Sequence, residues 1–528
     1  MIDLSKLSEA VCHEQGVSRR LFLAYAASLS AIPLMGKRAT AAAGRESFSS
    51  NPFRLGVASG DPAPQGAVLW TRLAPNPLEP GGGLEPRDIN VSWEVASDEA
   101  MRKVVSRGTA VATPKLGHSV HVEVDNLAPD RWYWYRFRCG DAESPIGRTR
   151  TMPSADSTPE ELRFAFASCQ HYESGLYTAY EHMAQEDIDL VLHLGDYIYE
   201  GKGEDGRVRK HLGKELQSLE DYRLRHAQYK TDELLQTMHA LCPWVVTWDD
   251  HEFDNDYANN VSEIKGEDPA KFLMRRAAAY QAYYEMMPLR STSLPRGPKM
   301  SLYRKMSFGQ LAEFFVLDGR QYRSDQPNGG EDFDIRENSR SSDCSMLGAQ
   351  QFEWLQDSLS NSRAGWNVMA QQVLLGLIDR APGEKRRYPM DTWCGYTCER
   401  ERLLTFLGER RVANPVVLTG DCHSNWVNDL RADDPTSEAA IVATEFAGTS
   451  ISSGGNGEQH LKLAESLRAE NHGVQYFNGE RGYVRCTVTP DEWRTDFRVA
   501  EYIDRPGAPV KTRASFALES GQTGANGI

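Results

Sequence analysis

The chain has 528 residues, more than one hydrophobic core usually serves, so two or more domains are expected. Hydrophobic residues at 40% and charged residues at 25% describe an ordinary soluble globular protein. A formal net charge of -15 argues against the basic surface that nucleic acids and anionic membranes require, so no stable binding to either is expected. A phosphoester could still be held if metal ligands or an arginine cluster supplied local positive charge.

Residues 1–43 do not read as part of the fold. Ser18-Arg19-Arg20-Leu21-Phe22-Leu23 leads into an apolar stretch that ends at Gly36, followed by the small-residue run Ala39-Thr40-Ala41-Ala42-Ala43. A basic flank, a short apolar core and an A-x-A end make a signal peptide, and the paired arginines make it a twin-arginine one. A membrane anchor would need about 20 apolar residues, and this core is shorter and contains Ser, Pro and Gly. The expectation is export by the twin-arginine machinery to the periplasm, the cell wall or the medium, with the mature chain starting near Gly44.

From Phe53 to about Thr151 short alternating segments follow one another between Pro/Gly-rich turns. They include Ala67–Arg72, Ile89–Val95, His121–Val124 and Trp132–Phe137. Seven or so strands in this span predict an immunoglobulin- or fibronectin-like β-sandwich over residues 50–152. His118 and His121 read as surface strand histidines, and Pro153–Pro159 reads as a linker.

After Glu161 buried apolar runs alternate with amphipathic helices, an α/β pattern expected to span 160–505. Five runs end in polar residues: Leu162–Ala167 before Ser168-Cys169-Gln170, Leu190–Leu194 before Gly195-Asp196-Tyr197-Ile198-Tyr199, and Trp244–Trp248 before Asp249-Asp250-His251-Glu252. Phe314–Leu317 precedes Asp318-Gly319-Arg320, and Pro415–Thr419 precedes Gly420-Asp421-Cys422-His423. Ligands collect beyond the carboxyl ends of strands in α/β sheets. Helices are predicted over 179–185, 216–228, 270–287, 349–360 and 400–408. The segment 324–345 reads as a mobile loop, and 506–528 as a flexible tail that frays.

Eight cysteines remain once Cys12 leaves with the signal, scattered rather than framed for disulfides. Cys394 and Cys398 could close a small loop; free buried thiols are the alternative. Cys422, if its segment is extended, faces away from its neighbours Asp421 and His423. His171 could line the cleft, while His182, His211, His226, His239, His460 and His472 read as solvated or structural.

Gly195-Asp196-x-x-Tyr199 is the most informative motif. A carboxylate at a strand end can bridge two cations, and a tyrosine three residues on can turn back to bind one. Tyrosine titrates near 10, so only a strongly Lewis-acidic ion such as Fe(III) holds it as phenolate at neutral pH.

With Asp249-Asp250-His251-Glu252 and Gly420-Asp421-x-His423, the chain resembles the metallophosphoesterase superfamily, whose catalytic unit is an αββα sandwich of two sheets flanked by helices. It is most similar to the PhoD-type alkaline phosphatase and phosphodiesterase family. The resemblance runs from about residue 50 to 500 through Leu55–Asp61, Phe166–Cys169, His193–Tyr199, Trp248–Glu252, Asp318–Arg323 and Thr419–His423. It implies iron bound by Cys169, Asp196, Tyr199 and His423, with Asp196 bridging to a second ion. Asp250 and Asp421 stand where the superfamily has an asparagine and a histidine, and Asp249 competes with Asp250 for its role. Anionic oxygen in place of neutral ligands implies Ca(II) rather than zinc, in line with the family's iron–calcium site. By the same resemblance His251 faces the phosphate, and Asn255 and Arg320 are weaker candidates for contacts to a further calcium or to the phosphate.

The function expected is therefore an exported phosphomonoester or phosphodiester hydrolase that uses metal-activated water. A phospholipase D-like phosphodiesterase and a non-enzymatic cell-surface binding protein are the alternatives.

Overall fold

The computed structural model describes residues 46–528 apart from 333, 335–342, 382, 384–385 and 433–438. The export segment therefore lies outside the described residues, as does part of the 324–345 loop. Two large sheets organise the rest. Leu162–Ala167, Leu190–Leu194 and Trp244–Thr247 lie side by side and parallel at the centre of a ten-stranded sheet. Ala312–Val316, Trp366–Gln371, Pro415–Thr419 and Ala443–Ala447 form the parallel centre of an eight-stranded sheet.

The strands are apolar on both faces because both faces are covered. Phe314 and Val416 face Phe164, Leu192 and Val245 in a core shared by the two sheets. Their neighbours Phe315 and Val417, one residue along and so on the opposite face, pack with Phe352, Leu355, Leu403 and Leu407 of helices Gly348–Ser360 and Thr397–Glu409. On the outer face of the ten-stranded sheet, Val191, Trp244 and Val246 pack against Tyr180, Tyr229, Met238, Tyr280 and Tyr283 of helices Thr178–Met183, Leu219–Lys230, Glu233–Leu241 and Pro269–Met286. Starts are chemically marked: Ser218 and Asp221 form a reciprocal capping box, and Asp268 caps a helix whose first residue is Pro269.

The N-terminal strands divide between two sheets. Ile89–Ala96, Val104–Ala112, Trp132–Cys139 and two short strands form a separate five-stranded sheet. Val57–Ala63, Gly66–Arg72 and Ser119–Val124 instead extend the ten-stranded sheet, with Gly60 paired in parallel to Trp244. Val57, Leu69 and Val120 then share a core with Val91, Tyr135 and Phe137. The layer under the small sheet is thus the end of the large one, and Ser47–Ile528 forms one compact unit.

Two expectations are corrected here. The stretch 506–528 is not a fraying tail: Val510–Glu519 pairs antiparallel with Glu492–Ala500, and Phe516, Ala517 and Leu518 are buried. Its few apolar residues suffice because Phe516 and Leu518 sit on one face, over Phe497 and Trp493. Nor are His118 and His121 surface residues. His118 is buried with its Nε2 on the Arg87 carbonyl, and His121 stacks on Tyr284 with its Nε2 against the carbonyls of Tyr284 and Met287.

Candidate metal centre

Because the central strands are parallel and adjacent, their carboxyl ends open on one edge. There the loops are joined directly: the Cys169 N–H donates to the Gly195 carbonyl at 3.0 Å and the Gln170 N–H to that of Asp196 at 3.1 Å. Glu252 ties in the third loop, its carboxylate accepting N–H bonds from Asp196 (3.1 Å), Tyr197 (2.5 Å) and Asp249 (2.8 Å). Gly195 is required where these loops meet. Its φ is +108°, and a Cβ there would stand 2.5 Å from the Asp249 backbone nitrogen.

Cys169, Asp196, Asp421 and His423 all have positive φ, between 49° and 58°. Non-glycine residues seldom adopt this region, which costs about 1–3 kcal/mol each and gathers at functional sites. The strain turns four side chains inward. Cys169, Asp196 and His423 bring ligand atoms within 4.8 Å of one another. Asp196, Asp249, Asp250 and Asp421 do the same, as do Asp196, Asp250 and His251. Asp196 belongs to all three groups. The Tyr199 hydroxyl lies 2.7 Å from Asp196 Oδ2, 3.3 Å from His423 Nε2 and 2.7 Å from Ser453 Oγ, so it joins the first group.

The donor sets differ in character. Sulfur, phenol, imidazole and one carboxylate make up the first; carboxylates make up the second. Both fit cations. Asp196 Oδ1 and Asp249 Oδ2 are buried with no hydrogen-bond partner, a costly state unless an ion accepts them. Burial, reinforced by Asp196 and Asp421, pushes the Cys169 thiol well above its ordinary value, and burial with Asp196 and Cys169 does the same to Tyr199. Burial raises Asp421 to about 8 and, against its three N–H bonds, Glu252 to about 7. These groups carry charge together only when cations are among them. Burial and the neighbouring cations Arg481 and His251 lower His423 to about 3, which leaves its imidazole neutral, the form that ligates.

Arg320 is fully buried and pairs with Asp249 through Nε and with Asp391 through Nη1 at 2.8 Å; Nη2 lies 3.7 Å from Asp250 and 3.8 Å from Asp421. It orders the carboxylates rather than presenting itself to solvent. Burial works against charge on Asp250, yet Arg320, His251 and the Asp256 N–H hold it below the usual carboxylate range. Burial likewise opposes charge on His251, but Glu200, Asp196 and Asp250 raise it well above its ordinary value. Its Nδ1 is 2.8 Å from Glu200 Oε2.

The Asn255 side-chain amide donates to Glu263 at 2.7 Å, and its backbone N–H to Glu200. Cys422 packs with the Leu374 and Trp426 cluster, away from the ligand atoms, although its neighbours are left-handed rather than extended. No disulfide joins Cys394 to Cys398. His171 stacks edge-on against Tyr199 and adjoins Glu173 and His211. Arg225 Nη1 lies 3.2 Å from His211 Nδ1, which puts a fixed cation where a metal would go. Glu200 and Asp391 escaped sequence reasoning. Glu200 directly follows Tyr199, which was a usable signal; Asp391 sits in an irregular segment that offered none.

The family model for the PhoD-like phosphatase matches residues 164–497, and the model for the N-terminal domain of PhoD-like phosphatases matches 38–153. The chain belongs to the PhoD-like phosphatase family. It is 48% identical to alkaline phosphatase D of Bacillus subtilis (strain 168), over 99% of this chain and 91% of that protein. A solved structure described as that of PhoD superposes with a TM-score of 0.89 at 50% identity, over 92% of this chain and 93% of the other. A shorter likeness, 34% over 85 residues and 15% of this chain, links it to purple acid phosphatase 23 of Arabidopsis thaliana. As a member of this family the chain is a phosphoester hydrolase, and the ligand groups at the strand ends fit metal dependence.

Proposed function

We propose that the protein is an exported phosphoesterase with a mixed iron–calcium centre. Cys169, Asp196, Tyr199 and His423 hold iron; Asp250 and Asp421, with Asp249 beside them, draw calcium to the oxygen-rich half. The observation that carries this reading is the membership of Asp196 in donor groups of opposite character, one with sulfur and nitrogen and one all carboxylate. A phenol and a thiol that burial keeps protonated favour a trivalent ion, and a carboxylate cluster favours a hard, oxygen-seeking one. When bound, such cations supply Lewis-acid activation of water and offset the charge of the phosphate.

The chain's own residues set the geometry around that chemistry. Arg320 fixes the Asp249 and Asp391 carboxylates, and Glu252 holds three loop amides in place. His251, oriented by Glu200, gives its proton to the departing alkoxide. For the fold, the finer reading is an immunoglobulin-like sandwich leading into an αββα catalytic unit; the core under the small sheet supports the first and the core shared between the two large sheets the second. Arg19-Arg20 and the alanine run support twin-arginine export; changing both arginines to lysine should trap precursor in the cytoplasm, and unchanged export would refute it.

A calcium-selective chelator tests the mixed centre. It should abolish hydrolysis of phosphomonoesters and phosphodiesters without bleaching the visible charge-transfer band of the iron, and calcium should restore the rate better than zinc. Full activity after chelation would overturn the reading.

A further inference from the structure

A second feature of the fold suits a phosphate. A cavity of about 700 Å³ is walled by Arg276, Arg296 and Lys299, by Gln321 and Tyr322, and by the first turn of helix Gly348–Ser360. Among the described residues no aspartate or glutamate lines it, in a chain whose formal net charge is -15. Arg276 is 2% exposed. Its Nη1 donates to the Asn259 carbonyl at 2.5 Å, its guanidinium carbon lies 5.5 Å from the centre of the Tyr280 ring, and among the described residues no carboxylate pairs with it. A buried guanidinium without a counter-ion is costly, and an anion in the cavity it lines would relieve that cost.

The helix adds N–H donors. Leu347 provides no side-chain cap and the first turn holds no acidic residue. The Glu399 carboxylate and the Ser345 hydroxyl accept the Leu347 and Gly348 N–H groups, while among the described residues no side chain accepts those of Ala349 and Gln350, which border the cavity. The wall is tied to the metal centre through Asn259, whose N–H donates to the Arg320 carbonyl at 3.0 Å while its own carbonyl accepts from Arg276. The turn that sends Arg320 to the carboxylates thus sends Gln321 and Tyr322 to the cavity.

We propose that this cavity is a second oxyanion site, which takes a phosphate group other than the one being hydrolysed. The inference rests on the chain's being a phosphoester hydrolase. A guanidinium, flanking cations and helix N–H groups are the donors that phosphate oxygens need. The phosphate can come from the next unit of an oligomeric phosphodiester substrate or from free inorganic phosphate.

The doubly reversed variant Arg296→Glu with Lys299→Glu, both exposed and outside the metal centre, tests this in the metal-loaded enzyme. Inorganic phosphate is titrated calorimetrically, and kcat/KM is measured on bis-p-nitrophenyl phosphate and on a short poly(glycerol phosphate). The variant should keep its rate on bis-p-nitrophenyl phosphate within about twofold, as expected for surface charges remote from the reaction. If the substrate is the source, kcat/KM on the oligomer falls about tenfold, the loss of roughly one charge-assisted contact. If free phosphate is the source, one equivalent of bound phosphate disappears while both rates persist. Unchanged phosphate stoichiometry together with an unchanged oligomer rate overturns the proposal, as does an equal loss on both substrates. A wild-type enzyme inactive on bis-p-nitrophenyl phosphate would instead count against the hydrolase reading.

Discussion

Asp249 and Arg320 form a fully buried ion pair in which Nε donates to Oδ1, while the second carboxylate oxygen, Oδ2, is left without a protein partner. The same guanidinium reaches Asp391 and stands near Asp250 and Asp421. One cation thus holds a carboxylate cluster together while leaving oxygens free for ions. Arg320→Met should expose the cluster to its own repulsion and lower stability by about 3–5 kcal/mol in metal-depleted protein. Calcium should recover part of that loss. Urea denaturation with and without calcium checks it; an equal loss in both conditions would separate Arg320 from the ion sites.

Glu252 accepts three backbone N–H bonds from the two loops that carry Asp196 and Asp249. Glu252→Gln turns one acceptor oxygen into a donor that faces those amides. Metal affinity and activity should fall together by about 10–100-fold, the usual effect of losing a group that positions ligands. Wild-type metal content and rate in the variant would show that the loops hold their shape without it.

How much of this was legible in the sequence depended on the range of the interaction. Apolar runs that end in Cys169, Asp196, Asp249-Asp250 and Asp421-x-His423 were readable because strand and ligand are a few residues apart. Partner choice between strands was not. Val57–Ala63 alternates as a strand, yet nothing local says that it joins Trp244–Thr247 and not the small sheet. Phe516 and Leu518 were too few to mark a strand, since their stability comes from Trp493 and Phe497. The left-handed backbone at Cys169, Asp196, Asp421 and His423 left no trace either, because none is a glycine. Side-chain direction was not legible either: the Asn255 amide nitrogen turns to Glu263.

The last strand should matter for stability. Phe516→Ala removes a ring packed against Phe497 and Tyr476 and should cost about 3–5 kcal/mol. A urea midpoint equal to that of the wild type would restore the picture of a loose tail.

His193 is buried with neither ring nitrogen partnered, stacked on Trp244, and burial followed by Lys230 lowers it to about 3. The unfolded chain binds a proton near pH 6.5 that the folded chain refuses until about 3. Stability from this site is therefore complete above 6.5 and is lost as pH falls toward 3. His193→Phe keeps the stacking and removes the titration. It should stabilise the protein by about 2 kcal/mol more at pH 5 than at pH 7.5. An equal effect at both pH values would contradict the neutral buried imidazole.

Elemental analysis of purified wild type, Cys169→Ser and Asp421→Asn, with the visible spectrum of each, tests the central claim most directly. The account predicts iron and calcium in the wild type. Cys169→Ser should lose iron and the band while still binding calcium; Asp421→Asn should keep iron and the band while calcium binds more weakly. A wild type without iron, or two variants that lose the same metal, would contradict a centre divided at Asp196.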